Sequence, residues 1–398
     1  MRFSGLSCTG QESGPIHSGE CFARMDNLAH SLVGAWMAEA GLKRTTPLAT
    51  ATLVIGANLP DVDGVITFAG SDASLYWRRG WTHGVLALSL WPFVLTGLVL
   101  LWDRYVRRRR HPELPPARFG PLLVCSVLSV LSHPALDWLN TYGVRLLMPF
   151  DGTWFYGDAL FIIDPWVWLL AGASVVMADA RTRRSAAGWL ILGAATTALV
   201  TLPDFVPWPA KALWSVGVVA ILWLRLRASH TLSAQRVATG CGVALVLYLG
   251  AILVGSQVAS PGAQAWLRAQ NLPVERTIAS PLPANPFAWD IIALAPDRYY
   301  FVSANVLAPE DERFRFTDAS QPRAPQPGPV IQAALMAPEI RGLANWLRLP
   351  TYEVAETAEG WRVTINDVRY SRMRSGGLGK AVVELDRELR PLRVRTPE

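Results

Sequence analysis

The stretch FGPLLVCSVLSVLSHPALDWLNTYG, residues 119–143, decides how the chain is read. Residues 119–136 hold no Asp, Glu, Lys or Arg and come close to the roughly 20 residues needed to cross about 30 Å of hydrocarbon. The same run ends on His133 and Asp137. At a spacing of i and i+4 the two side chains project from one helical face and can grip one ion or each other. Ionisable groups inside membrane segments are costly unless paired, and they mark functional sites. Pro134 lacks a backbone donor and disfavours helical geometry at His133, so a kink or restart is predicted there.

Five comparable runs lie at 84–101, 159–178, 185–203, 205–224 and 237–258. A large water-soluble helical core would show a polar stripe on each helix, and these runs have none. The chain of 398 residues is 51% hydrophobic with 17 Trp, which agrees with a membrane class. Its formal charge of +6 resides largely in arginines of three loops, 104–110, 181–184 and 225–236, which alternate with loops poor in Arg and Lys. The positive-inside rule places those loops in the cytoplasm, so no nucleic-acid partner is needed to explain the charge. A bacterial inner-membrane location is expected.

The predicted fold is an all-α polytopic membrane helical bundle over 25–258, with about six full spans plus a short helical pair. The pair comprises a helix bearing His30 and a shorter run, 45–60, that ends in ANLPDVD. A water-soluble α+β domain is predicted over 259–398, where sixteen acidic and seventeen basic residues leave no spanning run. It reads as a Pro-rich connector, SPLPANPFAW, followed by strands at RYYFVSANVL, GWRVTINDVRYS and KAVVELDRELRPLRVRT. Between the first two strands lies a helix interrupted near Pro338. Residues 1–24 lack an apolar signal core and read as a disordered tail or a wrongly assigned start, with Met25 as initiator. Cys8, Cys21, Cys125 and Cys241 form no CxxC pair, so neither a disulfide framework nor a thiolate zinc site is expected.

Other ionisable residues accompany His133 and Asp137: His30, Asp61, Asp63, His83 in RRGWTHG and Asp164 in FIIDPW. Each has a plain structural reading. His30 could bond a backbone carbonyl, Asp61 and Asp63 could form turns, His83 could sit in interfacial water, and Asp164 could cap a helix that starts at Pro165. With the Arg-rich loops on one side, all seven groups arrive at the opposite membrane face. Three imidazoles and several carboxylates without a thiolate are the donor set of a catalytic divalent-metal site, zinc or another ion, mono- or binuclear. Such a metal activates water at neutral pH, which makes hydrolysis the natural reaction. An ion or proton transporter and a non-catalytic scaffold with a structural metal are the alternatives. Against transport, the polar groups gather at one face and no inverted repeat is visible.

The motifs MDNLAHSLVGA, GANLPDVD, RRGWTHGVL, LSHPALDWLNTYGVRLLMPF and LFIIDPW, in this order, resemble the membrane-bound metal-dependent hydrolase family, also labelled LexA-binding, inner-membrane-associated hydrolases. The pattern is also distantly similar to the zinc-dependent phospholipase C and P1 nuclease superfamily. The resemblance implies His30, Asp61, His83, His133 and Asp137 as metal ligands, with Asp63 and Asp164 as outer carboxylates or general base. It implies zinc, one or two ions, because Arg78 stands where members often carry a further histidine. Arg145 and Arg79 become candidates to hold an anionic substrate, a phosphoester or lipid-linked molecule drawn from membrane lipids. For Arg79, anchoring at the membrane interface is the favoured alternative. No residue reads as a contact for LexA, and the sequence does not identify a protein partner.

Overall fold

The computed structural model describes residues 26–180, 182–228, 233–324, 326–370 and 378–396. The expectations for residues 1–24, Met25, Cys8, Cys21 and Arg181 lie outside these. Helix α1 (Asn27–Glu39) starts where it does because the Asp26 side chain accepts the Ala29 amide at 3.0 Å. The ten-residue α2 (Ala49–Asn58) is about 15 Å long, too short to cross a bilayer. It runs into a 3-10 segment, Leu59–Ala69, with Pro60 in its first turn. Then follow α3 (Ser71–Trp77), α4 (Val85–Arg110), α5 (Phe119–Trp138), α6 (Pro165–Asp179), α7 (Arg183–Thr201), α8 (Trp208–Arg227) and α9 (Ala234–Ala269).

Helices stand at all six apolar runs, but among the described residues only α4, α5, α8 and α9 are long and apolar enough to span. They make this a membrane protein. The expectation of about six full spans is thus reduced to four by length and composition. With 15 residues, α6 covers about 22 Å, short of the hydrocarbon thickness, and α7 is diluted by Ser185, Gly188, Gly193, Thr196 and Thr197.

The short helices form the inner layer. α1 packs on α2 and α6, and α2 packs on α5. Close approach depends on missing side chains: a Cβ on Gly34 would lie 2.6 Å from the Leu53 carbonyl oxygen, and one on Gly56 would lie 2.0 Å from Ser129 Oγ. A restart at Pro134 is not seen. α5 runs unbroken from Phe119 to Trp138, as membrane helices do when neighbours hold the chain and satisfy the freed carbonyl locally.

The C-terminal half is α+β, as predicted, with two four-stranded antiparallel sheets in simple sequential order. The first holds β1 (Arg276–Leu282), β2 (Asn285–Leu294), β3 (Arg298–Asn305) and β4 (Phe314–Pro322). Next come α10 (Pro329–Leu335), a 3-10 turn at Pro338–Ile340 and α11 (Arg341–Trp346), an interruption at the predicted place. The second sheet holds β5 (Pro350–Glu356), β6 (Gly360–Asp367), β7 (Lys380–Asp386) and β8 (Pro391–Arg395).

Two boundary readings are corrected. SPLPANPFAW is a hairpin, the β1–β2 pair, rather than a connector. The composition shifts at Ala259, but α9 continues through Pro261 to Ala269. At 36 residues α9 measures about 54 Å, longer than the hydrocarbon core of about 30 Å, and its C-terminal end meets the first sheet. There Ala259, Ala263 and Leu267 pack against Trp289, Ile291 and Val302 of the first sheet. The second sheet docks on the membrane half. Leu75 of α3 lies in one core with Trp346, Val363 and Val383. Asp72 accepts the amides of Gly342 and Leu343 at 3.0 and 2.9 Å, and Arg348 grips Asp158 with two bonds of 2.8 and 2.7 Å.

Candidate metal centre

Four separate pieces of chain deliver the cluster. The Asp26 cap sets His30 one turn into α1, and Asp61 follows Pro60 at the end of α2. His83 closes a turn two residues before α4, and His133 and Asp137 occupy the last turns of α5. Backbone bonds fix the His83 turn: Arg145 N donates to Arg79 O at 2.8 Å, and Val85 N to Leu146 O at 2.7 Å. Arg79 itself has φ of +52°, an uncommon geometry for a residue with a Cβ. Its amide is held by Asp63 Oδ2 at 3.0 Å.

All five residues meet, with side chains 0–4% exposed. The His83 and His133 Nε2 atoms are 3.1 Å apart. Asp61 Oδ1 lies 3.7 Å from the first and 3.4 Å from the second; Asp137 Oδ2 lies 3.3 and 3.5 Å from them. His30 stacks on His133 with ring centroids 3.8 Å apart and sets Nε2 3.5 Å from Asp137 Oδ1.

Hydrogen bonding assigns the tautomers. His133 Nδ1 is 2.6 Å from the Ala57 carbonyl, which can only accept, so Nδ1 carries the proton. Thr82 gives its single hydroxyl proton to Asp63 Oδ2 at 2.6 Å, so it accepts from His83 Nδ1 at 2.9 Å. In their neutral forms both Nε2 atoms therefore present lone pairs to each other. Both Asp61 oxygens, Asp137 Oδ2 and His30 Nδ1 are buried and make no hydrogen bond. The lone pairs of the two Nε2 atoms and of the neighbouring carboxylates, buried this close together, are costly unless a proton or a metal cation lies among them. Zn–N and Zn–O distances of ~2.0–2.1 Å put tetrahedral ligand atoms about 3.3 Å apart, close to the separations here. Among the described residues two triads could hold a metal: Asp61, His83 and His133, and His30, His133 and Asp137.

The other candidates surround this cluster. Asp63 orients His83 through Thr82, and Arg78 Nε is 3.8 Å from Asp63 Oδ1. Asp164 caps α6 by accepting the Trp166 and Val167 amides at 2.9 and 3.1 Å, and it also accepts the Tyr248 hydroxyl at 2.7 Å. Its structural reading is therefore realised, while it also lines a cavity of about 30 Å³ with Asp26, His30, Arg79 and Asp137. That volume holds about one water. Arg145 donates to the carbonyls of Tyr76 and Arg78 at 2.5 and 3.1 Å and lies over the Trp154 ring, so it builds the loop that carries Arg79.

The interfacial-anchor reading of Arg79 is overturned. Its guanidinium is 2% exposed and donates to Asp137 Oδ1 at 2.9 Å, Asn140 Oδ1 at 3.0 Å and Gly143 O at 3.3 Å. A buried carboxylate needs a partner of this kind, and the position of Arg79 within RRGWTH was the signal for it. Thr82 and Asn140 were also missed, although both lie inside the quoted motifs. The cysteines described, Cys125 and Cys241, are free.

Residues 25–206 match the profile of the family described as YdjM inner membrane protein. A 122-residue stretch is 25% identical to the uncharacterized protein YfhP of Bacillus subtilis (strain 168), covering 31% of this chain and 34% of that protein. The chain thus spans about a third of that relative's length. No solved structure matches the chain. The profile match supports an inner-membrane family, and it ends before the β-sheets begin.

Proposed function

We propose that this protein is a multi-pass inner-membrane hydrolase that holds one divalent metal, zinc by its donor set, and cleaves a phosphoester of a lipid or lipid-linked substrate. The observation that carries the reading is the facing pair of Nε2 lone pairs, with both tautomers fixed from behind by Ala57 O and Thr82. Imidazoles held in this way are ordered for metal ligation before any metal arrives.

The count of one follows from valence and charge. Both triads use His133, and with its Nδ1 bonded to Ala57 O it has a single lone pair to offer. Asp61 and Asp137 oppose one buried guanidinium, Arg79, which leaves a single negative charge; one dication brings the cluster to a net charge of +1, whereas two would leave a buried +3. When bound, such an ion supplies Lewis acidity and brings water activation to neutral pH. The chain's own residues do the rest. Arg79 fixes Asp137, Asp63 orients His83, and Asp164 is the carboxylate placed to accept a proton from a water held in the adjoining cavity. The cluster lies at the end of α5 and the start of α4, which suits a headgroup presented from the bilayer.

One observation favours a second reading, a structural metal. The ligand side chains are 0–4% exposed, and the adjoining cavity admits only about one water, as in a closed site. The discriminating experiment incubates detergent-purified protein with zinc and bis(p-nitrophenyl) phosphate or mixed phospholipid micelles, beside Asp164→Asn and Asp61→Asn. Zinc-dependent hydrolysis lost in both variants supports the hydrolase. Stoichiometric zinc, lost only in Asp61→Asn, with no hydrolysis by the wild type, supports the structural reading.

A further inference from the structure

The C-terminal half lies outside the stretch matched by the family profile, yet a continuous file of contacts through the half-buried Tyr142 joins it to the cluster. The Arg79 guanidinium, bonded to Asp137, lies 4.7 Å over the Tyr142 ring. Tyr142 meets Trp346 of α11 with centroids 4.9 Å apart, and Trp346 Nε1 donates to the Tyr142 carbonyl at 3.0 Å. Arg369 covers the far face of this arrangement, 4.4 Å from the Trp346 ring. Its NH1 donates to Thr141 O at 2.8 Å, and its charge is compensated by Asp367 at 2.8 Å. From the inner side, Asn140 Oδ1 accepts the amides of Tyr142 and Gly143 at 2.9 and 3.3 Å and the Arg79 guanidinium at 3.0 Å. The turn at 140–143 is therefore held from both sides, and Arg79 sits on it.

We infer that the C-terminal domain is a brace for the metal centre, with Trp346 and Arg369 as positioning residues that act on Asp137 through Tyr142 and Arg79. The inference rests on the metal reading above. The contacts favour a permanent brace over a detachable lid: Trp346 is fully buried, Arg369 and Asp367 are 7% and 1% exposed, and each bonds a backbone or charged partner. Aromatic faces attract guanidinium groups most strongly when desolvated, as here. Outer partners of metal ligands are typically worth 10- to 100-fold in affinity, and a residue acting through two others falls at the lower end of that range.

The test measures zinc affinity of the full-length protein in detergent, by competition with a chromophoric chelator, together with hydrogen exchange of the 140–145 backbone amides. Tyr142→Leu and Trp346→Leu are expected to weaken zinc binding about tenfold and to speed exchange at Tyr142 and Gly143. Trp346→Phe keeps a ring and is expected to stay within about threefold of wild type. Trp289→Phe, in the first sheet, disturbs a core of equal burial away from the site and is expected to change neither readout. Wild-type affinity and exchange in Tyr142→Leu, which removes the ring that links Trp346 to Arg79, overturn the brace even where Trp346→Leu does not fold. Should the wild type bind no zinc, the metal reading falls, while unchanged or faster exchange in the variants still decides the brace.

Discussion

Replacing Arg79 by Leu tests how charge is balanced in the cluster. The guanidinium and Asp137 are 2% and 3% exposed and 2.9 Å apart. At an effective dielectric constant of 20, one such contact is a gross attraction of about 6 kcal/mol. Removing one member of a buried pair leaves the other uncompensated and typically costs about 3–5 kcal/mol. Leu fills part of the volume, so cavity formation contributes little beyond this. Asp137 also faces His83 and His133 across the position assigned to the metal. A bound dication would compensate the stranded carboxylate, so the penalty should depend on metal. The assay is thermal unfolding in detergent of wild type, Arg79→Leu, Asp137→Asn and the double variant, each with excess zinc and with chelator. Expected are a loss of about 3–5 kcal/mol for Arg79→Leu in chelator, a clearly smaller loss in zinc, and recovery of much of the chelator penalty in the double variant. Equal losses in zinc and in chelator would refute the idea that Asp137 shares its charge with a cation.

Further outcomes follow from the docked C-terminal half. Burial pushes the Asp367 carboxyl up, but the Arg369 guanidinium together with the donated amides of Arg348 and Arg369 outweighs burial and holds it below the usual carboxylate range. A depressed native value stabilises the fold above the unfolded pKa of about 3.9, and that stability is lost as pH falls through the native value. The stability difference between wild type and Asp367→Asn, followed by thermal melts, should be constant above pH ~5 and shrink below pH ~4; a difference that grows on acidification would contradict the pairing. A Cβ on Gly342 would lie 2.0 Å from the Asp72 carbonyl oxygen. Gly342→Ala should therefore lower stability by about 1–3 kcal/mol and expose the α3 contact to proteolysis, an outcome checked by limited trypsin digestion. Finally, chelator should lower the wild-type melting temperature by more than that of His133→Ala, because ligand binding stabilises only the state that binds.

Much of the cluster was legible because its residues break a strong background rule. His133 and Asp137 stand out in an otherwise apolar run, and the alternation of Arg-rich loops pointed His30, Asp61 and His83 toward the same end of the bundle. The partners of those residues were harder to read. Arg79 looks like an interfacial arginine until Asp137 is seen beside it, and Tyr142 and Trp346 are 204 residues apart with nothing in either segment to announce the other. The extent of α9 was missed for a related reason. Pro261 and the change of composition signal an end, but Ala259, Ala263 and Leu267 keep a helical stripe that only the first sheet explains. Pro134 misled in the opposite direction, since packing of α5 against α2 holds the helix through it. The number of spans depended on length: the run at 159–178 is apolar, yet Asp164 and Pro165 start its helix late and leave 15 residues.

Ligation of a divalent ion by imidazole and carboxylate and not by sulfur can be read from zinc-edge X-ray absorption on the purified full-length protein. Expected is a single shell of nitrogen and oxygen at ~2.0–2.1 Å with the outer scattering of at least two imidazoles, all lost in the His83→Ala, His133→Ala double variant. A sulfur shell near ~2.3 Å, or a spectrum unchanged in that variant, would contradict it.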